Sequence, residues 1–164
     1  MKSEHRIMIR IVVLLSGRHG RGSNMQAIAD ACSDGHISGQ ITLVVGNYAD
    51  SPALARAREL KISTAVVPSP RKSDGSDLEA EYGDELARVI DAARPDLICL
   101  AGYIRKVPDN IVAAYPGRIM NIHNALLPAF GGRGMYGLHV HQAALDYGVK
   151  ISGCTVHFVH ESYD

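Results

Sequence analysis

"IMIRIVVLLSGRHGRGSNMQAI", residues 7–28, decides how this chain is read. Its first half is an apolar run that ends at Gly17, the pattern of a parallel strand buried on both faces. A glycine-rich loop follows. From Asn24 the apolar residues recur at helical spacing as far as a stop at Gly35. A strand, a glycine turn and a helix in that order open a βαβ unit.

The same alternation continues outward. "GQITLVVGN" reads as a second strand, and "SPALARARELKI" as a helix with Ser51 as its cap and Pro52 at its first position. "STAVVPSP" is a short strand, "LEAEYGDELARVIDAA" a long helix and "PDLICLAGY" a buried strand. A short helix in "PDNIVAAYPG", a strand in "RIMNIH", a helix in "HVHQAALDYG" and a late strand in "ISGCTVHFVH" complete the pattern. The fold class is therefore α/β, an open and mostly parallel sheet with helices on both faces.

The bulk composition excludes several classes. The chain has 164 residues, enough for one domain with a core, and its 46% apolar and 21% charged content is ordinary for a globular protein. Formal net charge is zero, so no broad basic field points to nucleic acid or to an acidic membrane surface. No apolar run reaches the length of a spanning helix, and residues 1–10 lack a signal-peptide core; a cytoplasmic protein is expected. Cys32, Cys99 and Cys154 are far apart, which fits reduced, mostly buried thiols rather than a zinc site.

Three segments carry chemistry. In "SGRHGRGSN" glycines at a strand–helix junction let backbone approach a ligand, and the helix start offers free N–H groups to an anion. The spacing of Gly17, Gly20 and Gly22 is neither the dinucleotide pattern nor a P-loop, so a single phosphate monoester fits better, with Arg18, His19 and Arg21 available to add charge. In "MNIHNALLP" strand alternation puts Asn121 and His123 on one face, at the edge where open α/β sheets bind ligands. An amide donor beside an imidazole suits an oxygen that acquires negative charge. The long piece "NALLPAFGGRGMYG" has no pattern of its own, as functional loops often do not. In "GLHVHQ" the helical reading turns His139 and His141 about 200° apart, so they do not share a metal. His139 remains a candidate for supporting the site and His141 is expected to pack. Strand alternation in "HFVHESYD" separates His157 from His160, and a carboxylate at Asp164 could orient His123.

Taken together, "IVVLLSG…GSNMQAI", "LAGYIRKV", "MNIHNALLPAFGG", "GLHVHQAAL" and "GCTVHFV…YD" resemble the phosphoribosylglycinamide formyltransferases of the formyltransferase superfamily, from about residue 8 to residue 164. The resemblance implies one formyltransferase-like, Rossmann-like domain over residues 1–164, shorter than the family at its C-terminal end. It implies formyl transfer from 10-formyltetrahydrofolate to the amine of glycinamide ribonucleotide in purine biosynthesis, with no metal, and it admits a homodimer. By position, Asn121, His123 and Asp164 match the catalytic residues, and Gly22, Ser23 and Asn24 match the phosphate loop. Ile104, Arg105 and Val107 match the folate wall, and His160, Glu161, Ser162 and Tyr163 match the loop over the pterin. The chain departs from the family pattern at Asn124, where many members have proline, and in the extra residues Arg18 to Arg21. Two alternatives stand beside this reading: a formyltetrahydrofolate hydrolase, and a domain that binds ligand without turnover.

Overall fold

The computed structural model describes residues 7–70 and 76–160. Its elements run β1 (Ile9–Leu14), α1 (Ser23–Ser33), β2 (Gly39–Gly46), α2 (Pro52–Glu59), β3 (Thr64–Val66), α3 (Ser76–Ala93), β4 (Leu97–Leu100), α4 (Asp109–Ala114), β5 (Ile119–His123), α5 (Leu138–Tyr147) and β6 (Thr155–Phe158). The strands form one sheet in the order β3-β2-β1-β4-β5-β6. All neighbours pair in parallel except β6, which runs antiparallel to β5.

The apolar run that opens the chain becomes β1, flanked by β2 and β4. Its alternation feeds two cores. Val12 and Leu14 join Ile98, Leu100 and Ile119 under α3 and α4, where Leu86, Ile90 and Ile111 close the layer. Ile11, Val13 and Leu15 join Val44 under α1 and α2, where Met25, Ala53, Leu54 and Ala57 pack. Helix α2 presents mostly alanine to the sheet, so its backbone comes close: a Cβ on Gly46 would meet Leu54 at 3.0 Å.

Several elements end earlier than the sequence pattern predicts. Strand β4 stops at Leu100 rather than running to Tyr103, because Gly102 turns the chain at φ +83. Strand β3 has only three residues. The last strand begins at Thr155, so residues 151–153 are not part of it, and Cys154 is exposed rather than buried. Ser51 does occupy the N-cap position of α2, but its side chain makes no capping hydrogen bond. His141 does not pack: α5 buries Val140 and Ala144, and the residue after Val140 is rotated by about 100° toward solvent. Among the described residues no helix is long and apolar enough to cross a membrane.

The start of β4 is tied to β1 by Asp96, whose carboxylate accepts the Arg10 backbone N–H at 2.7 Å and the Arg10 guanidinium at 3.3 Å. Those contacts, the backbone one first, hold the Asp96 carboxyl below its ordinary range. A depressed carboxylate contributes stability above its unfolded pKa and loses it as pH falls through the folded value. Asp96→Asn is therefore expected to lower the urea midpoint at neutral pH, with the gap to wild type closing below about pH 4. In the core, Ile98 is fully buried. Ile98→Ala is expected to cost about 2–5 kcal/mol of unfolding free energy by urea denaturation.

Candidate functional site

The order of the strands reverses between β1 and β4, and ligand crevices of open α/β sheets lie at the carboxyl ends of such a pair. Ser16, buried just after β1, spans this point. Its backbone N–H donates to the Gly102 carbonyl at 3.2 Å, and its hydroxyl accepts the Ile104 N–H at 2.7 Å. The two loops that leave β1 and β4 are thereby held together.

The glycine loop is anchored on its other side as well. The Gly17 N–H donates to the Asn47 side chain at 3.1 Å, and Arg18 donates to Asp50 at 2.7 and 2.9 Å with Tyr48 beneath it. Arg18 holds the Asp50 carboxyl below its usual range, so this arginine is already matched by a carboxylate. Gly22 takes the left-handed conformation at φ 69 as N-cap of α1. A Cβ there would lie 3.0 Å from that of Ala53, so the start of α1 rests directly on the start of α2. Between them is a pocket of about 140 Å³ lined by Gly20, Arg21, Gly22, Ser23, Asn24 and Ser51. The three residues matched to a phosphate loop, Gly22, Ser23 and Asn24, thus share one small pocket.

A larger cleft of about 860 Å³ opens beside it, and Asn24 lines both. Its walls include Ile104, Arg105, Val107, Asn121, His123 and His160. Asn121 and His123 both line this cleft, as does Ile122 between them, and as residues two apart in β5 they share one face of the strand. The Asn121 amide donates to His157 Nε2 at 3.2 Å. An NH₂ group only donates, so Nε2 accepts, and Nδ1 carries the proton toward the Phe158 carbonyl at 3.1 Å. The amide orientation is thus set by a neighbour, with a second N–H left to the amide. His123 is buried, and its Nε2 donates to the Phe130 carbonyl at 2.8 Å. Phe130 sits at φ 55, a conformation rare outside glycine, and its ring packs edge-on against Tyr147. The long loop after β5 is therefore bent back to His123 at a strained residue.

The wall after β4 is built on a buried pair of tyrosines. Tyr82 from α3 and Tyr103 share a hydrogen bond of 2.9 Å between hydroxyls. Burial pushes both hydroxyls up, so both stay protonated. Arg105 lies over the Tyr82 ring, donates to the Pro70 carbonyl at 3.1 Å and pairs with Glu79. Its charge is offset within the fold, whatever else it meets.

His139 does not line the cleft. It is exposed on α5 and stacks edge-on against Tyr136, which does line it. Glu161, Ser162, Tyr163 and Asp164 lie outside the described residues. The residue that sequence reasoning passed over is His157. Its role comes from the antiparallel register that sets it opposite Asn121, and only alternation in "TVHFVH" hints at its face.

A cleft and a small pocket meet at the switch point of an open α/β sheet, the place where sheets of this class carry ligand crevices. Comparison with known proteins narrows this. The chain belongs to the formyl transferase family, whose model matches residues 9–164. It is 43% identical over 145 residues to the chloroplastic phosphoribosylglycinamide formyltransferase of Arabidopsis thaliana, covering 88% of this chain and 49% of that one. It is 40% identical over 156 residues to the phosphoribosylglycinamide formyltransferase of Escherichia coli K12, covering 95% and 68%. The fold superposes on the crystal structure of glycinamide ribonucleotide transformylase 1 from Symbiobacterium toebii with a TM-score of 0.83 at 40% identity, covering 98% of this chain and 70% of that one. The chain thus spans about half the length of the plant relative and about two thirds of the bacterial one.

The contact between Gly22 and Ala53 can be tested without any ligand. Gly22→Ala is expected to destabilise the fold by at least about 1–2 kcal/mol from the left-handed backbone alone. Adding Ala53→Gly is expected to relieve the steric part and leave the backbone part, as read from urea midpoints.

Proposed function

We propose that this protein transfers a formyl group from 10-formyltetrahydrofolate to the amine of glycinamide ribonucleotide, as its relatives' names suggest for them. The observation that carries the reading is the junction of two sites: a donor pair, Asn121 and His123, in a large cleft that adjoins a small anion-type pocket through Asn24. A folate would fill the cleft along Ile104, Arg105, Val107 and the segment from His160 through Glu161, Ser162 and Tyr163. The phosphate of the acceptor would occupy the pocket of Gly22, Ser23 and Asn24. The acceptor amine would then lie near β5. The expected setting is the cytoplasm, with small-molecule partners and no nucleic acid.

The amine attacks the formyl carbon, a C–N bond forms, and the carbonyl oxygen becomes an oxyanion. Asn121, held in place by His157, donates its second N–H to that oxygen, and His123 adds a second donor. Collapse breaks the bond to N10 of the folate. The amine gives up a proton and N10 receives one, with His123 and Asp164 as the groups that move it. The formyl group is already activated, so this route calls on no metal. A hydrolase would need the cleft alone and would leave the anion pocket without a ligand.

His123→Ala is expected to lower kcat by about 10²–10³-fold while changing ligand affinity little, because the lost donor acts on the transition state. An unchanged kcat would refute its assignment. Asn24→Ala is expected to weaken glycinamide ribonucleotide and spare a folate analogue in a thermal-shift titration. Stabilisation by folate alone, with formate released in water, would favour the hydrolase.

A further inference from the structure

We infer that Ser51, at the head of α2, is an additional ligand for the acceptor's phosphate, so that two helix starts rather than one grip the anion. The inference rests on the proposed phosphate pocket and adds a residue to it.

Ser51 is 97% buried, with 3% of its surface exposed, yet it lines the 140 Å³ pocket. A serine at an N-cap ordinarily accepts a hydrogen bond from an amide of its own first turn. Ser51 has extended backbone, φ −63 and ψ 129, and its hydroxyl makes no such bond. Among the described residues that hydroxyl has no hydrogen-bond partner. No side-chain polar atom among the described residues is both buried and unpartnered, so the unpaired Ser51 hydroxyl keeps access to solvent although the residue as a whole is buried, and the residue borders the pocket.

The pocket's size and surroundings say what kind of guest. One water needs roughly 10–15 Å³ of such space, so about 140 Å³ holds a larger tetrahedral group. Pro52 has no N–H, so the first amide of α2 is that of Ala53, which also lines the pocket. The start of α1 enters from the other side through Gly22, in contact with Ala53. Both helix starts favour negative charge. The neighbouring carboxylate, Asp50, does not oppose this, because Arg18 pairs with it. Arg21 lines the pocket as the cationic side chain. The hydroxyl of Ser51 completes this set as a donor to a phosphate oxygen.

Calorimetric titration of glycinamide ribonucleotide and of its dephosphorylated riboside tests the idea. Ser51→Ala and Ser51→Gly are both expected to weaken the ribonucleotide roughly tenfold, as for loss of one hydrogen bond to a charged group, and to leave the riboside unchanged. The unliganded melting temperature of Ser51→Ala should match wild type, since the hydroxyl caps nothing. If wild type prefers the ribonucleotide and Ser51→Ala keeps that preference, the role of Ser51 falls while the phosphate pocket stands. If Ser51→Ala weakens both compounds equally, the role also falls. If wild type binds both compounds equally, the phosphate pocket itself is overturned, and Ser51 with it.

Discussion

A single central strand, apolar on both faces, constrains everything else in this protein. Strand β1 cannot face water on either side, so the chain must cover it twice, with α1 and α2 on one face and α3 and α4 on the other. Covering it twice requires the chain to leave β1 first toward β2 and β3, then return beyond it to β4 and β5. The reversal opens a crevice at one edge, and among the described residues the candidate groups Gly22, Ser23, Asn24, Ile104, Arg105, Val107, Asn121, His123 and His160 line the cleft or the pocket there. The site is thus a topological consequence of where hydrophobic area has to be buried.

Burial alone would leave that crevice loosely defined. Ser16 closes it locally, by bonding to both Gly102 and Ile104 across the reversal. Small residues then set distances: alanines in α2 and glycines at 22 and 46 bring backbones together where a larger side chain would hold them apart. The same close approach that packs α2 on the sheet sets the mouth of the small pocket. Packing and ligand geometry are one constraint here.

The larger cleft depends on orientation more than on shape. Asn121 can present either end of its amide, and His157 decides which, because the antiparallel pairing of β5 with β6 puts an imidazole opposite it. His123 is held from the opposite direction by the loop carbonyl at Phe130. Asn121 thus owes its direction to a residue 36 positions along the chain, and His123 meets the carbonyl of a residue only 7 positions on, in the loop that follows its own strand. In the proposed reaction such preorganisation would let the Asn121 amide meet a developing charge without rearranging.

The period of the apolar residues was enough to determine the α/β class, the element order and the face shared by Asn121 and His123. Glycine chemistry after β1 was enough to mark the turn that lines the small pocket. These are local properties, set by the two-residue repeat of strands and by the backbone freedom of glycine. The pairing of Asn121 with His157 was not legible, since strand register is a contact between distant segments. Nor was the open hydroxyl of Ser51, which by its position reads as an ordinary helix cap. Arg18 read as a ligand for an anion until the fold supplied Asp50. The sequence alone determined which residues could do chemistry and on which face they stand. Only the tertiary structure decided which of them are engaged and which are left for a ligand, because hydrogen-bond satisfaction is settled by neighbours that folding, not chain order, brings within reach.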